Sequence, residues 1–224
     1  MFTLVLWRLT FETLNFLKLL GFHGPKTRYF AFGANMDPAV MKRRAMTVLA
    51  ARPAVAHGYT LKFNHEVPFV GVGMASIEPS PGDNMRGMVY TLNKIDEWIM
   101  DCYESHRFLN RYRKVWLEIG GDKCFCYRTN RAREELKPSR IYLTKIVTGY
   151  RTYFPEEQAL IARLESLESL PEMKPASPPR MLILNYDRFG KACRPLLVQY
   201  DSYCVKLFTK LIFRPSLVDR WLPK

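Results

Sequence analysis

This sequence lacks the common signatures of metal binding and of nucleophilic catalysis. Its five cysteines (Cys102, Cys124, Cys126, Cys193 and Cys204) form no C-x-x-C pair, and its four histidines (His23, His57, His65 and His106) are scattered with no H-E-x-x-H. A structural zinc site needs ligands paired at short spacing, and a zinc protease needs two histidines one helical turn apart, so no metal site or metal cofactor is expected. An odd number of cysteines without a framework spacing reads as free thiols in a reducing cytosol. G-x-S-x-G is also absent, which removes the usual mark of a serine hydrolase. The Glu104-Ser105-His106 run does not replace it, because adjacent helical residues project about 100° apart. No stretch reaches the roughly 18 apolar residues of a bilayer-spanning helix. The apolar amino terminus is broken by Arg8, Glu12 and Lys18 and lacks a small-residue cleavage site, so it reads as a helix and not as a signal peptide.

Acidic residues are in short supply. Twenty-one Asp and Glu against 34 Lys and Arg leave a net charge of +13. Attraction to something anionic follows, but charge alone does not choose among nucleic acid, phospholipid headgroups and acidic metabolites. Hydrophobic content of 48% over 224 residues supports one sizeable core with an appendage and excludes wholesale disorder.

Three regions follow from the patterning. Residues 1–26 form an amphipathic amino-terminal extension, with Leu6, Leu9, Phe11, Leu14, Phe16, Leu17 and Leu20 largely at helical spacings and a stop at Gly21 and Gly24-Pro25. Such a helix packs either on the body of the protein or a second copy of it, or, through Trp7 and the phenylalanines, in a membrane interface. Residues 27–170 carry short apolar or alternating runs at Tyr29–Phe32, Ala54–Phe63, Val70–Glu78, Arg86–Leu92, Val115–Ile119 and Cys124–Thr129, separated by turn clusters such as Pro79 to Asn84. One helix is predicted from Asn93 or Asp96 through Cys102 and another from Pro155 to about Leu170. Strands dominate, so the expectation is an α+β domain with a small mixed, strongly curved or barrel-like sheet. Residues 171–224 begin with a proline-rich linker and end in a basic, apolar segment, Val205 to Arg214, suited to covering the core or to an anionic membrane surface.

The most informative stretch is Tyr29-Phe30-Ala31-Phe32-Gly33-Ala34-Asn35-Met36, an aromatic strand ending in a tight turn. Glycine and asparagine tolerate unusual backbone angles, and N–H groups exposed in such a turn can hold an anionic or carbonyl group. This segment resembles the aromatic-glycine-small-asparagine turn of the γ-glutamylcyclotransferases. Later segments agree in order: Pro79-Ser80-Pro81-Gly82-Asp83 leads into Arg86-Gly87-Met88-Val89-Tyr90. Met100-Asp101-Cys102-Tyr103-Glu104 is similar to the family's Leu-Asp-x-x-Glu helix end, and Tyr127 to Asn130 to its following strand. Pro138-Ser139, Tyr142, Gly149 and Pro155-Glu156-Glu157 resemble its closing segment. Each motif is short; five in register are specific.

The resemblance implies an intramolecular acyl transfer without a cofactor, in which a γ-glutamyl α-amino group attacks its own γ-carbonyl, closes 5-oxoproline and releases the attached amine. By resemblance Glu104 is the general acid/base. Tyr29, Phe30, Ala31, Phe32, Gly33, Ala34 and Asn35 would bind substrate, with the Gly33 and Ala34 amides on its carboxylate or oxyanion. Tyr142 would close the pocket and Tyr127 would contribute. Two positions depart from the pattern: Ala34 stands where serine is common and Ser105 where glycine is usual, which leaves the leaving amine open. The implied protein is cytoplasmic, with a membrane-peripheral role through its extensions and a homodimer left open, and no specific nucleic acid is expected. The rival reading is a non-catalytic basic module of the same fold acting at a membrane or on nucleic acid, based on Lys42-Arg43-Arg44, Arg107 to Lys114 and Arg128 to Arg133.

Overall fold

A computed structural model describes residues 2–67, 72–104, 111–134 and 136–170. The carboxy-terminal region predicted for residues 171–224 and the Ser105 position lie outside them. The element order is α1 (Phe2–Leu19), β1 (Lys26–Ala31), a 3-10 turn (Ala34–Met36), α2 (Pro38–Arg43), β2 (Ala50–Val67), β3 (Val72–Asn93), α3 (Lys94–Tyr103), β4 (Tyr112–Ile119), β5 (Asp122–Thr129), α4 (Arg140–Tyr153) and α5 (Gln158–Ser166).

The strands make one curved five-stranded mixed sheet in the order β2-β3-β1-β5-β4, the expected α+β architecture. β1 lies antiparallel to β3 and parallel to β5, with Tyr29 opposite Tyr90 on one side and Phe125 on the other. This places the turn after β1 at the middle of the sheet. β4 and β5 are joined by Gly120 and Gly121, both at positive φ (59° and 79°), as a two-residue hairpin turn requires. β2 and β3 are long, and their register shifts between His57 and Tyr59 and between Lys62 and His65. Irregularities of this kind bend a ladder, and an isolated bridge from His65 to Ala132 carries the far end of β2 across to the chain leaving β5.

Three expectations change. The two strands predicted on either side of Pro79 to Asn84 are one strand, β3. The turn cluster bulges out as Ser80–Asp83 opposite the single residue Gly58 (φ 77°), so the turn chemistry is real but does not end the strand. The last helix begins at Gln158 and not at Pro155. Helix α4 was read only as a closing segment, although Leu143, Ile146, Val147 and Tyr150 are its buried face and Ser139 caps it by accepting from the Tyr142 N–H.

Helix α1 packs on the body of the domain. Trp7, Phe11 and Leu14, at i, i+4 and i+7, are buried. Trp7 stacks on Phe11 at 5.6 Å between ring centroids, Phe11 meets Tyr103 edge-on at 5.1 Å, and the Trp7 indole N–H donates to the Cys102 carbonyl at 2.7 Å. Burying three such side chains is worth roughly 1.5–3 kcal/mol each as an upper bound. Leu9, Phe16, Leu19 and Leu20 on the other face are exposed. Among the described residues no helix is long and apolar enough to cross a membrane.

Candidate active site

Helix α3 carries Glu97, Asp101 and, as its carboxy-terminal cap, Glu104, at i, i+4 and i+7 along one face. Charges this buried must be answered, and the first two are. Lys114 reaches Glu97 at 2.7 Å and Asp101 at 2.8 Å, and the Tyr127 hydroxyl donates to Asp101 at 2.7 Å. Burial alone would raise the Glu97 carboxyl, but Lys114 and Lys94 hold it below the usual carboxylate range. Behind the same helix Lys18 of α1 pairs at 2.6 Å with the fully buried Asp96, which also accepts the Thr47 N–H. The same lysine donates to the Ala45 carbonyl. Helix α1 therefore braces both the end of α3 that presents Glu104 and the loop that follows Arg44.

Arg44 is the residue that sequence reasoning misplaced. It was counted in the basic Lys42-Arg43-Arg44 cluster of the rival reading, but α2 ends at Arg43 and Ala45 adopts a positive φ of 53°, which turns the chain there. The Arg44 guanidinium bonds Glu104 Oε1 at 2.7 Å and lies 4.8 Å from the centroid of the Tyr103 ring, with only 23% and 16% of the Arg44 and Glu104 side chains exposed. Burial alone would pull the guanidinium down, but the charge and hydrogen bond of Glu104 hold it above its ordinary value. No signal in a run of three cations singles out the one that turns inward. Lys114 and Arg128, from the other two basic clusters, are likewise engaged, Arg128 with Glu78.

The turn after β1 faces Glu104. Asn35 Nδ2 donates to the Tyr29 hydroxyl at 2.6 Å and to Glu104 Oε1 at 3.3 Å, so the asparagine acts through its side chain and ties the turn to the carboxylate. Glu104 Oε1 thus takes both contacts. Oε2 accepts nothing among the described residues and is not closed off from solvent. Gly33 adopts an unusual backbone conformation, with ψ −142°, but neither it nor Asn35 has a positive φ. Gly33 has φ −114°, and Asn35 lies in the right-handed 3-10 turn, whose bonds run from the Met36 N–H to the Gly33 carbonyl and from the Asp37 N–H to the Ala34 carbonyl. The opening N–H groups of a helix lack an acceptor within it, so the donors of this turn arise from a helical start. Position 33 is closely surrounded: a Cβ there would lie a tight 3.3 Å from Ala75 Cβ and in ordinary contact, 3.5 Å, with the Tyr142 oxygen. Close approach also explains Gly149, where a Cβ would lie 2.5 Å from Met36 Cβ and push α4 off the turn.

Between these groups lies a cavity of about 160 Å³, lined by Tyr29, Phe32, Gly33, Ala34, Asn35, Arg44, Tyr103, Glu104, Tyr127 and Tyr142, and on its remaining walls by His65, Met74, Ala75, Arg111 and Tyr112. Eight of the ten predicted site residues therefore converge on one hollow. Phe30 and Ala31 do not. Both are fully buried away from it: Phe30 projects from the opposite side of β1 against Gly87, because side chains alternate along a strand, and Ala31, on the Tyr29 side, carries only a methyl group. Tyr127 is in the wall, but its hydroxyl is spent on Asp101. The Tyr142 oxygen accepts the Ala75 N–H at 3.1 Å and the Tyr112 hydroxyl donates to the Ala75 carbonyl at 3.1 Å, which fixes that wall. Burial pushes the Tyr29 and Tyr142 phenols well above their ordinary range, so both stay neutral donors or acceptors. His65, Arg111 and Tyr112 were not singled out as site residues; they reach the cavity only through the curvature of β2 and the start of β4. Among the described residues no group of three or more His, Cys, Asp or Glu is gathered to hold a metal ion.

Comparison with known proteins agrees with the fold. The chain matches the family described as "Gamma-glutamyl cyclotransferase, AIG2-like" over residues 29–145, just over half of its length. It is similar to a solved structure titled "Gamma-glutamyl cyclotransferase", at 22% identity and a TM-score of 0.56, covering 67% of this chain and 92% of that one. An uncharacterised protein from Homo sapiens gives 22% identity and a TM-score of 0.56, over 66% of this chain and 92% of that one. YkqA from Bacillus subtilis gives 20% identity and a TM-score of 0.57, over 70% of this chain and 60% of that one. At such identities these structures establish the fold. No curated protein matches the sequence. The family match begins at Tyr29, so α1 with its grip on Cys102 and Asp96 lies outside it.

Proposed function

Since the chain belongs to the γ-glutamyl cyclotransferase, AIG2-like family, we propose that it closes the γ-glutamyl group of a γ-glutamyl amine or γ-glutamyl amino acid to 5-oxoproline and releases the amine, with Glu104 as general acid/base. The observation that carries this reading is that Glu104, whose Oε2 accepts nothing among the described residues, shares one small cavity with the turn at Gly33–Asn35. The cavity is well below the ~300–1,000 Å³ of drug-sized ligand sites, a scale suited to a compact acyl chain.

The reaction asks little of the protein beyond these parts. Nucleophile and electrophile are tethered, and holding a folded conformer can supply about 7–11 kcal/mol of the barrier. The substrate ammonium gives a proton to Glu104, and the amine nitrogen attacks the γ-carbonyl. The new C–N bond forms as the old one breaks; Glu104 passes its proton to the departing amine, then takes the second proton from the ring nitrogen and hands it on, so that the lactam keeps one N–H and the amine leaves as an ammonium. Arg44 and Asn35 hold Oε1, which would leave Oε2 for both transfers. The amides that open the 3-10 turn would receive the glutamyl carboxylate or the developing oxyanion, each worth a few kcal/mol if preorganised. A screen of γ-glutamyl dipeptides and γ-glutamyl amines, read by release of 5-oxoproline, tests the proposal. Turnover of at least one compound is expected, and none from folded protein across both classes would overturn it.

A further inference from the structure

The cavity contains a second guanidinium, and its surroundings differ from those of Arg44. Arg111 sits immediately before β4, its carbonyl fixed by the Asn130 N–H at 3.1 Å, and its side chain lines the cavity beside His65 and Tyr112. Glu104 is already engaged by Arg44 through Oε1. Among the described residues no carboxylate forms an ion pair with Arg111. The influences acting on it are burial, which pulls it below its ordinary value, and the neighbouring Tyr112; Glu104 is not among them. The adjacent His65 adds no charge at neutral pH, because burial and the nearby Arg111 push it down to about 4, and its Nδ1 is occupied by Thr129 at 2.9 Å. The end of the cavity formed by β2, β3 and the start of β4 therefore presents a partly desolvated cation, Arg111, with no carboxylate paired to it among the described residues.

A desolvated guanidinium without a counter-charge is costly, and its planar fork is shaped to accept a carboxylate through two parallel hydrogen bonds. In the cyclotransferase reading the glutamyl carboxylate is received at the turn and the reacting nitrogens lie at Glu104. The part of the substrate left to meet Arg111 is the departing amine. We propose that Arg111 is a specificity residue that receives a carboxylate carried by the leaving amine, so that γ-glutamyl amino acids are preferred over γ-glutamyl amines lacking that group. This proposal rests on the cyclotransferase reading.

The test pairs γ-glutamyl-alanine with γ-glutamyl-alaninamide, which differ only in the anion. For the wild-type chain kcat/KM should favour the carboxylate by roughly 10- to 100-fold, as expected for a charge-assisted hydrogen bond. In Arg111→Gln the preference should collapse to within about threefold, mainly through KM, because the contact is made in ground and transition states alike. Arg111→Lys should restore part of it. Equal use of both compounds by the wild type, or a proportionate loss for both in Arg111→Gln, overturns the assignment. Calorimetric binding of the same pair to Glu104→Gln and to Glu104→Gln/Arg111→Gln separates the two readings. Discrimination in binding without any 5-oxoproline from the wild type would sink the cyclotransferase reading and keep Arg111 as a carboxylate receptor. Equal binding, or none, sinks the Arg111 proposal whatever the turnover.

Discussion

Replacing Arg44 by methionine keeps an unbranched aliphatic stem but removes the guanidinium that faces Glu104, Tyr103 and Met100. The gross attraction of two unit charges at the observed 2.7 Å is about 6 kcal/mol at an effective dielectric of 20. Desolvation cancels much of that, and charged hydrogen bonds in proteins retain about 1.5–3 kcal/mol net. The pair is not sealed from solvent, with 23% and 16% of its side chains exposed, so the lower part of that range applies and about 1–2 kcal/mol of coupling is expected. The measurement is a double-mutant cycle of Arg44→Met and Glu104→Gln by urea unfolding, since guanidinium salt would screen the interaction. Activity supplies a second readout. Freed of Arg44, the Glu104 side chain loses its fixed rotamer, so kcat should fall about tenfold with less change in KM. A coupling below ~0.3 kcal/mol together with unchanged kcat would show that the guanidinium neither steadies nor orients the carboxylate.

Two further outcomes follow from the supports of the site. Trp7→Phe keeps the aromatic stack with Phe11 but abolishes the 2.7 Å bond to the Cys102 carbonyl. It should cost about 1–2 kcal/mol in a urea midpoint series and lower kcat several-fold, because Cys102 lies two residues before Glu104; unchanged stability and kcat would detach α1 from the site. His65, whose value falls from 6.5 to about 4, binds its proton more readily in the unfolded chain. Stability at neutral pH should therefore decline as pH drops from about 6.5 toward 4, by up to ~3 kcal/mol on this account. His65→Asn should flatten that part of a urea midpoint profile, and an unaltered slope would refute the assignment.

The elements legible in the sequence were those whose signals are local. The Tyr29–Asn35 turn, the helix ending at Glu104 and the β4–β5 hairpin each combine a hydrophobic period with turn or cap residues in one short window. What stayed hidden depends on contacts between distant segments. Lys42, Arg43 and Arg44 are equivalent as text, and only the reversal at Ala45 and the opposing Glu104, 60 positions away, distinguish the third. His65 reaches the cavity where β2 bends at its register shift, and Arg111 from the start of β4, both properties of strand pairing. Helix α4 was legible in principle from Ser139 and its apolar spacing, but its Gly149, needed for packing on Met36, weakened the local helical pattern.

The most direct test of the account is 5-oxoproline release by Glu104→Gln, measured on a γ-glutamyl substrate that the wild type turns over. Glutamine can still accept from Arg44 and Asn35 but cannot carry the proton between the two nitrogens. A folded variant with kcat lowered by about 10²–10⁴-fold is predicted. A folded variant within threefold of the wild type would mean that the proton moves by another route and that Glu104 is not the base.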